Sequence, residues 1–146
     1  RAAFVGLTES HTRGHLTRAV MEGVAFSLRD SFEIFRELGA PMNSIRLGGG
    51  GAQSQLWQQI QADVYGQPVT TIEVDEGAAF GAALLAGVGY GAWGSVDEAC
   101  DMAIKTMAGI KPQPTSVRPL DRNYAAYKLL YPALKPAMNI INNFED

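Results

Sequence analysis

Cysteine, basic charge and long apolar runs are all scarce in this chain of 146 residues. The single cysteine, Cys100, excludes an internal disulfide framework and favours a reducing, cytoplasmic location. A formal net charge of -3 argues against a nucleic-acid partner, because there is no excess of Lys and Arg to neutralise phosphates. No apolar run reaches the length of a membrane span, so no membrane partner is expected either. The length predicts one domain at most.

Side chains that bind metals are also scarce. The two histidines, His11 and His15, are four residues apart, a spacing that can place two metal ligands on one face of a helix. No third ligand lies near them in the sequence, so we expect no metal site. Cys100 lies on an apolar helical stripe, and we expect a buried, inert thiol rather than a nucleophile.

What the chain has in excess is glycine at one point. Four consecutive glycines, residues 48–51, follow the short apolar run Ile45–Leu47 and precede a helical pattern that opens near Ser54. Glycine loses conformational entropy in regular structure, so this run indicates a sharp turn or the close approach of another group. A strand, a glycine turn and a helix N-terminus are typical of a nucleotide site, because main-chain amides and the positive end of the helix dipole converge there. A tight turn without a ligand is the alternative.

Two common glycine motifs do not fit this run. A P-loop requires a lysine directly after its last glycine, but no lysine occurs between Arg46 and Lys105. The dinucleotide pattern G-x-G-x-x-G fails because Gln53, or Ser54 in the next register, stands where the third glycine is required. An adenosine moiety packed against bare main chain therefore fits this loop better than a triphosphate cradle.

The remaining patterns predict alternating helices and strands. Apolar spacing predicts helices over residues 15–38 and 54–65, strands over 45–47 and 69–74, and a third helix that begins with Asp75, Glu76 and Gly77. This order is typical of an α/β fold with a parallel sheet. The third helix is rich in small residues, and Gly81 in its interior predicts close packing against a neighbouring backbone.

The C-terminal third predicts helices around an extended connector. A capping box at residues 95–98 begins a helix, and its inward residues are expected to be Val96, Cys100, Ala103, Ile104 and Met107. Residues 109–120 contain three prolines and predict an extended connector. Residues 121–146 predict a C-terminal helical segment, which Pro132 and Pro136 should kink or interrupt.

Two strands are too few for an independent sheet. A two-stranded sheet is barely stable alone, so we expect further strands upstream of this chain. If the chain folds alone, a second copy should cover the exposed sheet edge, which predicts a homo-oligomer.

Two segments near the start carry a longer signature. Ala-Ala-Phe-Val-Gly-Leu at residues 2–7 and His-Leu-Thr-Arg-Ala-Val-Met-Glu-Gly at residues 15–23 resemble the C-terminal signature of the FGGY carbohydrate kinases. The resemblance continues through residues 48–57, 76–87 and 131–135 and covers nearly the whole chain. It implies two ribonuclease H-like, actin-like domains with ATP bound between them, and transfer of the γ-phosphoryl group to a sugar hydroxyl with Mg²⁺.

The resemblance also implies which part of such an enzyme this chain is. Residues 1–146 would be the C-terminal part of the ATP-side domain, a helix-strand-helix-strand-helix core plus C-terminal helices, without the three-stranded meander that opens the domain. Gly49, Gly50 and Gly51 would approach the adenosine and α-phosphate side of ATP. Ser54 would contact adenine beside Gln53.

The same resemblance places the chemistry elsewhere. The general base and the sugar site would lie upstream, so this chain would contribute no catalytic residue and would be inactive alone. Asp63, Asp75 and Glu76 are not assigned as the base, since the first lies within a helix and the others at a helix start. Within the family, the resemblance implies D-xylulose as the sugar that is phosphorylated. The alternatives are a kinase of glycerol, gluconate, ribulose or another polyol or ketose, and an actin-like nucleotide-binding module without kinase activity.

Overall fold

The computed structural model describes residues 2–40, 42–73 and 77–142, which form five α-helices and two short strands. In chain order the elements are α1 (Arg13–Glu37), β1 (Ile45–Leu47), a 3-10 turn (Gly50–Gln53), α2 (Gln55–Tyr65), β2 (Val69–Thr71), α3 (Gly77–Tyr90), α4 (Val96–Ala103) and α5 (Pro114–Asn142). The predicted order of helix, strand, helix, strand, helix and C-terminal helices is confirmed.

The two strands are parallel, as predicted. Ile45 lies opposite Val69, and Leu47 lies opposite Thr71. The far side of β2 is covered by the segment after α4, because Val69 and Ile110 exchange two main-chain hydrogen bonds of 3.0 and 2.8 Å. Among the described residues no strand pairs with the other side of β1. The open sheet edge that the sequence predicts is therefore the edge of β1.

The core lies between α1, α2, α5 and one face of the sheet. Its most deeply buried large side chains are Ile60 and Val64 of α2 and Val69 of β2. Phe26 of α1 packs against Tyr124 of α5 with ring centroids 5.7 Å apart. Burial of this apolar surface is the main source of stability. It fixes α2, the helix that follows the glycine loop.

The connector predicted over residues 109–120 is wrong in its second half. The last helix begins at Pro114 rather than at residue 121, and it runs through Pro119, Pro132 and Pro136 without interruption. A proline is favoured in the first helical position, because the N–H that it lacks would have no helical partner there. Burial of Leu120 in the core favours the helical conformation around Pro119.

The capping box of α4 is confirmed, and its predicted inward face is confirmed in part. The Oγ of Ser95 accepts a 3.1 Å hydrogen bond from the main-chain N–H of Glu98. Cys100, Ala103 and Ile104 are half-buried, and the fully buried residue of the helix is Ala99, whereas Val96 and Met107 are exposed. The helix ends at Ala103, so Met107 lies in the segment that pairs with β2 and cannot share the helical face.

Close packing on α3 occurs at a different glycine from the predicted one. A Cβ atom at Gly81 would have no neighbour within 4 Å among the described residues, so the predicted approach of a backbone is wrong for this part of the chain. A Cβ atom at Gly87 would instead collide with the ring of Trp93. The turn after α3 folds Trp93 back onto the helix, a contact that helical spacing does not reveal. The predicted helix-start residues Asp75 and Glu76 lie outside the described residues.

Candidate functional site

The glycine loop turns directly from β1 into α2. Gly49 has φ 81° and ψ 168°, a conformation that residues with a Cβ atom rarely adopt. The next residues form a single 3-10 turn, in which the N–H of Ala52 donates to the carbonyl of Gly49 over 2.8 Å. The sharp turn predicted from the four glycines is therefore confirmed. Gly49 is the position at which the turn itself requires glycine.

The other glycines of the loop face different surroundings. A Cβ atom at Gly48 or Gly50 would meet no atom within 4 Å, and neither residue has a positive φ. A Cβ atom at Gly51 would lie 3.4 Å from Cδ1 of the Trp57 ring, which is ordinary contact. Neither conformation nor internal packing therefore requires glycine at position 50. This main chain is open to a group from outside the described residues.

Ser54 and Gln53 lie where the loop joins α2. The Oγ of Ser54 accepts a 3.3 Å hydrogen bond from the N–H of Trp57 and so caps the helix. A hydroxyl that accepts in this way can still donate its own hydrogen outward. Gln53 ends the 3-10 turn with an exposed side chain. The five residues predicted as a site, Gly49, Gly50, Gly51, Gln53 and Ser54, thus lie together on one turn at the N-terminus of α2.

Gln58 supports this turn and was not predicted from the sequence. Its side-chain Nε2 donates to the carbonyl of Ala52, the buried residue within the 3-10 turn. Its main-chain N–H donates to the carbonyl of Ser54 over 2.9 Å. One residue of the first helical turn therefore holds the loop at two points. Gln58 is one of several glutamines in this helix, so residue type carried no signal that could single it out.

Asp63 has a structural position. It is buried in α2, and its Oδ1 accepts hydrogen bonds from the side chain of Gln59 at 2.8 Å and from the main-chain N–H of Gln113 at 2.7 Å. Gln59 also donates to the carbonyl of Lys111 over 3.1 Å. These bonds join α2 to the residues just before α5. The carboxylate of Asp63 therefore helps to hold α2 against this segment.

A cavity of about 290 Å³ lies beside the loop, between α1 and β1. Its lining includes Leu28 and Phe32 of α1 and Leu47, Gly48 and Trp57 of the loop region. The lining is largely apolar, so the cavity suits apolar side chains better than phosphate groups. Its position next to the open edge of β1 could not be predicted without the packing angle of α1.

The described residues contain no group of three or more His, Cys, Asp or Glu side chains that could hold a metal ion. Within the same ranges, no helix combines the length and the apolar character that a bilayer crossing requires.

Comparison with known proteins identifies the family to which the chain belongs. The sequence pattern of the FGGY family of carbohydrate kinases, C-terminal domain, matches residues 1–90. This chain belongs to the FGGY family. The relationship inferred from residues 2–7 and 15–23 is thereby confirmed. The FGGY domain occurs in sugar kinases of the actin-like ATPase superfamily, which confirms the predicted fold class at that level.

Three similar proteins show which kinases of the FGGY family the chain resembles. It is 35% identical over 144 residues to the xylulose kinase of Bacillus subtilis (strain 168), an alignment that covers 99% of this chain and 29% of that protein. It is 38% identical over 99 residues to a glycerol kinase of Saccharolobus islandicus (strain M.14.25 / Kamchatka #1), covering 67% of this chain and 20% of that protein. The crystal structure of xylulose kinase from Rhodospirillum rubrum matches with a TM-score of 0.81 at 36% identity, over 94% of this chain and 28% of that chain.

The chain spans less than a third of the length of these relatives. The shares of 29% and 28% for the two xylulose kinases mean that most of each relative has no counterpart in these 146 residues. The activity of a whole kinase is therefore a proposal for this chain.

Proposed function

We propose that this chain is the adenosine-binding wall of an ATP-dependent sugar kinase that converts D-xylulose to D-xylulose 5-phosphate in the cytoplasm. The observation that carries the proposal is the open main chain at Gly50, at the N-terminus of α2. Two xylulose kinases resemble the chain over nearly its full length, which supports the choice of sugar. The segments 53–57 and 131–135 also resemble xylulose kinases.

The loop is suited to the nucleotide for two reasons. Bare main chain at Gly50 allows a flat base or a sugar ring to lie against it, because no atom of the described residues lies within 4 Å of the position of its missing Cβ. The positive end of the α2 dipole favours a nearby phosphate. Ser54 would donate its hydroxyl to the adenine, and Gln53 would lie beside it.

The chain's share of the chemistry would be binding and orientation. Phosphoryl transfer depends on positioning two substrates and on neutralising developing charge with metal ions. By the family resemblance, Mg²⁺, the general base and the sugar site would belong to the remainder of the intact kinase. This chain alone should not phosphorylate sugars.

A second candidate concerns the acceptor. The glycerol kinase match favours a polyol acceptor as the alternative, and gluconate or ribulose would require the same fold. No residue of this chain is assigned to the sugar, so its loop does not distinguish these acceptors. A nucleotide-binding module without kinase activity is the remaining alternative. Comparing kcat/KM of the intact protein for D-xylulose, glycerol and gluconate tests these alternatives. A xylulose kinase should prefer D-xylulose, a kinase of another acceptor should prefer glycerol or gluconate, and a module without kinase activity should phosphorylate none of them.

The open edge of β1 supports a proposal about assembly. On α1, Val20, Val24 and Leu28 expose apolar surface, and Leu28 lines the cavity next to β1. Exposed strand edges and apolar patches promote association, so we propose that the isolated chain forms a homo-oligomer through this face. Sedimentation velocity should show a dimer or larger species, and Val24→Glu should shift it towards the monomer. A monomer at every concentration would contradict this proposal.

The nucleotide assignment has a direct test. In the intact kinase, Gly50→Val should raise the KM for ATP by roughly tenfold or more while leaving the KM for sugar unchanged. Because a Cβ atom at Gly50 meets nothing within 4 Å, the variant should fold. Gly89→Ala is the control, since its Cβ atom is equally unobstructed and it lies on α3. An unchanged KM for ATP would remove the loop from the site.

A further inference from the structure

Helices α3 and α4 pack against each other rather than against the other helices. Among the described residues, the extensive contacts of α3 are with α4, whereas α1, α2 and α5 contact one another. The fully buried residues of the pair are Leu84 of α3 and Ala99 of α4. Neither belongs to the core cluster that contains Phe26 and Ile60. The two helices are therefore held together by buried contacts that lie outside the main core.

The turn between α3 and α4 closes this pair of helices at one end. The ring of Trp93 rests against Gly87, where a Cβ atom would leave it no room. The main-chain N–H of Ala92 donates to the carbonyl of Gly87 over 2.9 Å. Just before α4, the N–H of Gly94 donates to Oε2 of Glu98 over 2.7 Å. Because the turn is packed and hydrogen-bonded in this way, α3 and α4 can move as one rigid unit.

A narrow antiparallel ribbon, residues 71–73 and 105–107, joins this unit to the core. The main-chain N–H of Met107 donates to the carbonyl of Thr71 over 2.8 Å, and that of Glu73 donates to the carbonyl of Lys105 over 2.9 Å. The side chains of Lys105 and Glu73 are 4.0 Å apart and both exposed, so their ion pair adds little stability. We call residues 71–73 and 105–107 the hinge ribbon.

The hinge ribbon begins beside the glycine loop. Thr71 lies opposite Leu47 in the parallel sheet, and Leu47 directly precedes the loop. Both strands therefore end at the same edge of the sheet, the carboxyl edge at which parallel sheets usually bind their ligands. A movement of α3 and α4 about the hinge ribbon would change the surface next to the loop.

We propose that α3 and α4, residues 77–103, form an arm that opens and moves as one unit on the hinge ribbon while the core stays folded. The physical reason is the separation of the two sets of buried contacts. Opening of the arm leaves the burial of the main core cluster intact, so it costs less free energy than unfolding of the whole chain and exposes less surface. The proposal does not depend on the kinase assignment.

Native-state hydrogen exchange of the 146-residue chain, followed by NMR, tests the arm. The amides of Leu84 and Ala99 should share one opening equilibrium, roughly a hundredfold or more larger than that of Ile60 and Val64 in α2. Urea below the unfolding transition should change the opening of the arm less than that of α2, because less surface is exposed. One common equilibrium with one urea dependence for both sets of amides would overturn the proposal.

Two variants make the test specific. Trp93→Ala removes the ring that closes the turn, so the opening equilibrium of the arm should rise by roughly tenfold or more, while the amides of α2 keep their protection. Even if the arm no longer folds in this variant, α2 should stay protected. Phe26→Leu is the reciprocal control, because Phe26 packs against Tyr124 in the core. It should speed exchange in α2 and leave the opening of the arm unchanged. Equal losses of protection in the arm and in α2, in either variant, would contradict an independent arm.

Discussion

Arg29 of α1 donates a 2.8 Å hydrogen bond from Nη1 to the carbonyl oxygen of Val64, one residue before the end of α2. The same Nη1 lies 2.6 Å from Oδ1 of Asp121 in α5, and the guanidinium lies 4.3 Å from the centre of the Tyr124 ring. One side chain therefore joins the three helices that surround the core. Since α2 begins at the glycine loop, this contact fixes the other end of the helix that would carry the nucleotide.

Replacing Arg29 with methionine should lower the free energy of unfolding by about 2 kcal/mol. Methionine retains most of the apolar stem but leaves the Val64 carbonyl and the Asp121 carboxylate without this donor. Urea denaturation followed by circular dichroism measures the loss. Arg36→Met is the matched control, because Arg36 is more exposed and pairs with Glu33 alone, so its loss should stay below about 0.5 kcal/mol. Equal losses in both variants would mean that the Val64 and Asp121 contacts contribute little.

Two glycines of α3 should respond to alanine in opposite ways. Gly81→Ala should stabilise the chain by up to about 1 kcal/mol, because alanine is the better helix former and its Cβ atom meets nothing within 4 Å. Gly87→Ala should destabilise it by about 1–3 kcal/mol, because the new methyl group collides with the ring of Trp93. Thermal unfolding of both variants checks the pair. A stabilised Gly87→Ala would show that Trp93 does not rest on this helix.

The contrast between these glycines shows what the sequence could and could not predict. Local signals predicted the helix bounded by Ser54 and Gly66, because a cap and a left-handed C-terminal residue act within a few positions. The contact of Trp93 with Gly87, six residues earlier, depends on how the intervening turn folds back and has no periodic signature. The start of the last helix at Pro114 is a similar case. Proline suits both a connector and a first helical residue.

The candidate site, too, could be predicted from the sequence only in part. The glycine run predicted a sharp turn, because four consecutive glycines are unfavourable in regular structure but can adopt the backbone conformations of a turn. The turn is present. The support that Gln58 gives to Ala52 was not predictable, since it requires the exact rotation of α2 about its axis. The contacts of Asp63 with Gln113 join segments fifty residues apart, and no local pattern links them.

Alkaline pH should weaken the fold through Tyr65. Burial raises the pKa of Tyr65 to about 12, above its ordinary value of about 10. The neutral phenol is therefore favoured in the folded state, so its stabilisation is complete below about pH 10 and is lost as the pH rises towards about 12. Tyr65→Phe should flatten part of this decline in urea midpoints. Tyr90→Phe is the control, because Tyr90 is almost fully exposed and should leave the decline unchanged. An identical decline in all three proteins would exclude Tyr65 as a cause.

Gln58 should matter for nucleotide binding more than for stability. Gln58→Met keeps the length of the side chain but removes the donor to the Ala52 carbonyl, so the turn at Gly50 should become less ordered. In the intact kinase of the proposed function, the KM for ATP should rise severalfold while the KM for sugar stays unchanged, because pre-organised main chain loses less entropy on binding. Gln55→Met is the matched control, since Gln55 is an exposed residue of the same helix turn. Gln58→Glu should behave like Gln58→Met or worse, because a carboxylate cannot donate to a carbonyl and repels it. A rise in the KM for sugar instead of ATP would place the turn on the acceptor side and contradict the assignment of the loop.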